Sequence, residues 1–154
     1  MLVGCVLAAN ADERPRKDDV MDIVQMVNDY WQKNNPGHGN WFWNRAVYHV
    51  GNMEAYRTTG RSDYMEFSRA WAEQNDWSGP KGDDTSMWSY DYGEWNVLFG
   101  DCQICFQVYS ELYDVEKDDY RLSRAFQVMD YQMSTEQEDY IWWVDGMFMV
   151  MPVL

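Results

Sequence analysis

The sequence predicts an all-α protein assembled from helical hairpins. Three observations carry this. Apolar residues recur at helical spacing almost throughout, no segment sustains the alternation of a strand, and two turn segments echo one another along the chain.

The elements follow in order. Val20, Ile23, Val24, Val27, Tyr30 and Trp31 trace one face of a first helix, which starts near Asp18 and stops in Asn34-Asn35-Pro36-Gly37. A second helix is expected from about Phe42 to Thr58, with Gly60 as its stop. A third runs from Ser62 to Gln74; Ser62 can cap it, and Tyr64, Phe67, Ser68 and Trp71 share a face. Residues 75–95 lack periodicity and carry the aromatic run Trp88-Ser89-Tyr90-Asp91-Tyr92. An aperiodic segment of that length inside one domain is often functional. A fourth helix is expected over Val97–Tyr113 and a fifth over Asp118–Met133, the latter with Leu122, Ala125, Phe126, Met129 and Met133 on one face. A sixth begins near Trp142. Its Met147–Met151 run would pass for a strand alone, but its place after helix five favours a helix.

The echo lies in the turns. Tyr56 to Tyr64 joins helices two and three, and Tyr113 to Tyr120 joins helices four and five; each is an aromatic, a short acidic turn and another aromatic. Repeated hairpins of this size imply a solenoid or a closed helical toroid. The apolar segment Met147–Leu154 expects a covering partner.

Composition bounds the function. The 154 residues suffice for one domain with a core, and 46% hydrophobic residues argue against disorder. Nine Trp can fill a core or line a site that meets the flat C–H faces of sugars. Twelve basic against 26 acidic residues, a net charge of −14, exclude a nucleic-acid partner. Cys102 and Cys105 lie one helical turn apart and read as small buried residues, since a redox pair would sit beside a βαβ pattern. Met1–Ala9 is apolar but too short to span a bilayer. Ala9-Asn10-Ala11 fits a small-x-small cleavage site, so residues 1–11 read as a signal-peptide remnant preceding a domain over 12–154. Leu2-Val3-Gly4-Cys5 also fits a lipoprotein box with a lipid anchor on Cys5. Both readings place the protein in the periplasm or outside the cell.

Two acids stand out. Asp145 is the sole charge between Ile141 and Leu154, set beside Trp142 and Trp143. A carboxyl buried among aromatics has a raised pKa and serves as a general acid near neutral pH. Asp101, after Gly100, is a second isolated acid in an apolar stretch. Capping of a helix is the alternative for each. In a toroid, helices two, four and six lie inside, so both acids would open onto the central cavity, where neighbouring carboxyls split their pKa values. Tyr48 and His49 place polar rings on helix two, although a lone His is often structural. Trp88 and Trp142 are further candidates to line a pocket. His38 and His49 lack metal-ligand spacing, no nucleophile constellation, P-loop or dinucleotide fingerprint occurs, and neither a metal nor a cofactor is expected.

Trp143-Val144-Asp145-Gly146-Met147-Phe148-Met149-Val150-Met151-Pro152 resembles the signature of glycoside hydrolase family 105, the unsaturated rhamnogalacturonyl hydrolases, related to the unsaturated glucuronyl hydrolases of family 88. Tyr48-His49-x-Gly51, Gly100-Asp101 and the turn Thr59–Tyr64 are similar to further parts of that pattern. The resemblance implies an (α/α)6 toroid, of which six helices make about half. It implies a secreted enzyme acting on pectin-type oligosaccharides already cut by a lyase, removing a 4,5-unsaturated uronic acid by hydrating its double bond. Asp145 would protonate C4 and then help water add at C5, Asp101 would orient the sugar, and Trp143 and Tyr48 would line the pocket. No cofactor is implied. The half missing from the ring would hold the residues that grip the sugar carboxylate. The competing reading is a non-catalytic helical-repeat module whose aromatics bind carbohydrate.

Overall fold

The computed structural model describes residues 15–89, 94–137, 140–141 and 143–154. The expected leader over 1–11, Cys5, Tyr90-Asp91-Tyr92 and Trp142 lie outside the described residues. Among those described there are seven α-helices and no strand: α1 Lys17–Asn34, α2 Trp43–Thr59, α3 Ser62–Gln74, α4 Gly100–Gln103, α5 Cys105–Val115, α6 Tyr120–Ser134 and α7 Val144–Val150. No described helix is long and apolar enough to cross a membrane.

The helices form two layers. α2 packs on α4 and α5, and α4 packs on α7, so these make one continuous inner wall. α1 lies against α2, α3 against α2 and α5, and α6 against α5. This is the alternation expected of part of a helical toroid, with the second helix of each hairpin inside. Trp71, Tyr64, Tyr109, Phe106, Met53, Ile104 and Leu112 are fully buried between the layers. Each such burial stabilises by about 1.5–3 kcal/mol.

Local chemistry sets the helix ends. Gly60 terminates α2 with a left-handed backbone, φ 73°, and its N–H reaches Tyr56 O at 2.8 Å. α3 begins without a side-chain cap; Arg61 holds the cap position and Ser62 is already helical, contrary to the capping role expected of it. The fourth helix starts at Gly100 rather than Val97. The N–H of Val97 bonds Trp95 O at 2.8 Å and that of Leu98 bonds Ser89 O at 3.3 Å, which commits both to the preceding loop. A short turn at Ile104 then separates α4 from α5.

The loop between α3 and α4 is clamped from outside. Arg124 of α6, itself buried, donates from Nη2 to Pro80 O at 2.6 Å and Gly82 O at 2.8 Å, and Trp88 Nε1 donates to Gly82 O at 2.8 Å. A Cβ on Gly82 would fall 2.7 Å from Trp95 Cζ3 and 2.9 Å from Glu94 O, so the crossing admits only glycine.

One polar hub joins the first three helices. Buried Asn52 accepts from Asn28 Nδ2 at 2.7 Å and Gln32 Nε2 at 3.1 Å, and donates to Ser68 Oγ at 2.8 Å and to Tyr64 O. Replacing Asn52 with Leu keeps the branching of the side chain but leaves these groups unpaired. We expect Asn52→Leu to lower stability by about 2–3 kcal/mol, read as a reduced urea midpoint with unchanged slope.

Candidate active site

The inner wall brings the two predicted acids together. Asp101 lies in the first turn of α4 and Asp145 in the first turn of α7. The helices meet through glycine. A Cβ on Gly100 would lie 3.1 Å from Trp143 Cζ2 and 3.2 Å from Val150 Cγ2, and one on Gly146 would lie 2.8 Å from Trp143 Cε2 and 3.0 Å from Ile141 Cγ2. The Trp143 indole therefore lies close to both glycines, tilted against Phe99 at 4.9 Å between centroids.

The two carboxyls differ in setting. Asp101 is half-buried, and its pKa is raised first by burial and then by the charge of Asp145. Asp145 is exposed, which corrects the expectation of an acid buried among aromatics. In this chain the desolvation argued for residue 145 falls on residue 101. Neither aspartate is the N-cap of its helix; Phe99 and Trp143 hold those positions.

Three other candidates fall elsewhere. His49 is fully buried, with Nδ1 3.1 Å from Ser68 Oγ and its ring stacked on Trp71 at 4.2 Å. Burial lowers its pKa to about 3, so it is a neutral core residue and not a pocket lining. Trp88 is also buried, packed edge-on to Tyr131 at 4.8 Å and beneath Arg124, and anchors its loop instead of presenting a face to sugar. Tyr48 is half-buried and stacks on Trp31, centroids 3.4 Å apart at 12°, with its hydroxyl donating to Asn28 Oδ1 at 2.6 Å. It lines a groove of about 450 Å³ between α1 and α2, with Ile23, Val27 and Val47, and not the wall that carries the acids. Cys102 and Cys105 are free and buried, and burial pushes the Cys102 thiol up to about 12, which suits packing and not redox chemistry.

Periodicity and spacing do not single out Gln107. It is buried on α5, and its Nε2 donates to Phe148 O at 2.6 Å and Met149 O at 2.9 Å on α7. The signal that could have found it is Pro152, four residues after Phe148, which deprives that carbonyl of its helical donor.

Hairpins stacked with their second helices inward, two of which carry neighbouring carboxyls, make part of a helical toroid. Residues 17–154 match the sequence profile of glycosyl hydrolase family 88, and the chain belongs to that family. Two solved structures share the fold at a TM-score of 0.86: one described as a polysaccharide lyase, 55% identical, and a glycosyl hydrolase family 88 protein from Bacteroides vulgatus, 42% identical. Each alignment covers 89% of this chain, but only 39% and 40% of the matched chains. The chain thus spans about two fifths of their length. No functionally curated protein gives a significant match.

Two predictions follow from the geometry. Alanine at 146 gains about 1 kcal/mol of helix propensity, yet its Cβ meets Trp143, and overpacking costs about 1–3 kcal/mol. Gly146→Ala should therefore destabilise, seen as a lower denaturation midpoint. For Asp101, a carboxyl pKa raised in the fold contributes stability below its unfolded value of about 3.9 and loses it as pH rises through the folded value. Asp101→Asn should gain stability over wild type as pH rises above the unfolded value of about 3.9, and a difference that does not change with pH would refute the assignment.

Proposed function

We propose that this chain supplies the paired-carboxylate wall of an enzyme that removes a 4,5-unsaturated uronic acid from lyase-generated pectin-type oligosaccharides. The observation that supports it is the juxtaposition of Asp101 and Asp145 beside Trp143 on adjacent inner helices.

The chemistry needs one proton and one water. Asp145, the exposed member, reaches the sugar and delivers a proton to C4, so that the electron pair of the double bond forms the C4–H bond. Water adds at C5 and returns its proton to the carboxylate. The resulting hemiketal opens by breaking the C5–O5 bond, which leaves a hemiacetal at C1 that expels the partner sugar. Asp101 holds its proton more tightly than an isolated aspartate and hydrogen-bonds the sugar, and Trp143 offers a flat face to the ring. Among the described residues Arg57, Arg61, Arg121 and Arg124 are engaged with Glu111, Asp29, Glu116 and Asp83. We also infer that the exposed apolar flanks, Ile23, Val27 and Tyr30 on one side and Phe126, Met133 and Leu154 on the other, are where the remaining hairpins of a full ring stack.

Elimination is the second reading, favoured by the name of the 55% identical structure. One assay separates the two. With unsaturated disaccharides, the ultraviolet absorbance of the double bond should fall, and Asp145→Asn and Asp101→Asn should each slow this by about 100-fold or more. Absorbance that rises on an uncut polysaccharide would instead assign a lyase. Sugar binding with no change in absorbance would assign a non-catalytic module.

A further inference from the structure

The last turn of α7 has a gap in its hydrogen bonding. Met151 N–H reaches Met147 O at 3.1 Å, as a helix requires. The next donor in sequence would serve Phe148 O, but residue 152 is proline and has no N–H. The one after would serve Met149 O, but Val153 N–H turns to Val150 O at 2.9 Å. Two consecutive carbonyls are thus left without their main-chain donors, and Met149 is buried. The side chain of Gln107, 5% exposed and 41 residues away from Phe148 in the chain, fills both vacancies with one amide nitrogen. An amide carries two N–H groups and can serve two acceptors at once; a carboxylate or an aliphatic side chain can serve neither.

The consequence reaches the acids. α7 spans only Val144–Val150, so the turn held by Gln107 and the turn carrying Asp145 belong to one short rigid rod. Its other anchor is the Gly100–Trp143–Gly146 contact. We propose that Gln107 is a positioning residue, a side-chain substitute for the hydrogen bond removed by Pro152, which fixes α7 so that Asp145 stands beside Asp101. This rests on the paired-acid reading above.

The test is a double-mutant cycle read without catalysis. Pro152→Ala restores a backbone N–H opposite Phe148 O. The titration midpoint of the Asp101 carboxyl, followed by carbon NMR on the full chain, reports the proximity of Asp145. Gln107→Leu should lower that midpoint toward an ordinary aspartate, and Gln107→Leu with Pro152→Ala should recover part of the shift. If Gln107→Leu does not fold, folding of the double variant is itself the expected rescue. A folded Gln107→Leu with the wild-type midpoint overturns the proposal, as does a double variant that recovers neither midpoint nor fold. Asp145→Asn is the control for the underlying reading: an Asp101 midpoint unmoved by it would sink the paired-acid site, whatever the Gln107 variants show.

Discussion

The site depends on how closely α4 can approach α7. Gly100 and Gly146 both approach the Trp143 indole, at distances where a methyl group would intrude by several tenths of an ångström. An acid in the first turn of each helix is brought beside its neighbour only because the backbones beneath them lack side chains. Glycine in a helix costs about 1 kcal/mol against alanine, and the wall accepts that cost twice. What it gains is a pair of neighbouring carboxyls, and the pKa of Asp101 is raised first by burial and then by the charge of Asp145.

The first hairpins solve a different problem, that of register. Asn52 has its carbonyl oxygen and amide nitrogen both engaged within the buried seam of α1, α2 and α3. A hub of this kind favours one alignment of the helices, since a slip by one turn would strand buried donors and acceptors. His49 belongs to the same seam. Stacked on Trp71 and held neutral by burial, it contributes a flat ring and one polar contact to Ser68. The polar rings of helix two therefore specify packing, and the inner wall becomes chemically distinctive only where α4 and α7 begin.

Helical periodicity made the elements legible. The faces through Tyr64, Ser68 and Trp71 and through Ala125 and Met129 are buried, whereas Phe126 and Met133 on the latter stripe, and Val20, Ile23, Val27 and Tyr30 on that of the first helix, are exposed. The pairing of Asp101 with Asp145 was legible too, from two isolated acids at the starts of alternate helices. The roles of Trp88 and His49 were not. A buried aromatic and a pocket aromatic have the same sequence signature, and only the third dimension shows Arg124 over one and Trp71 against the other. Val97 and Leu98 were misassigned to the fourth helix because an apolar run says nothing about where its N–H groups go, and here they go to the loop. Gln107 illustrates the hardest case: its partner is a missing donor 45 residues on, and no local pattern couples a glutamine to a distant proline.

The asymmetry of the two acids gives the wall its direction. Two equivalent carboxylates at equal depth would share a proton without preference, and neither would be committed to donating or accepting. Here the half-buried member is the one whose charged form burial disfavours, while the exposed member projects from the first turn of α7. Depth therefore separates Asp101, whose charge burial disfavours, from Asp145, which is open to solvent. The contacts that hold α7 down lie at its two ends: an indole close to two glycines at its start, and a borrowed amide at its end.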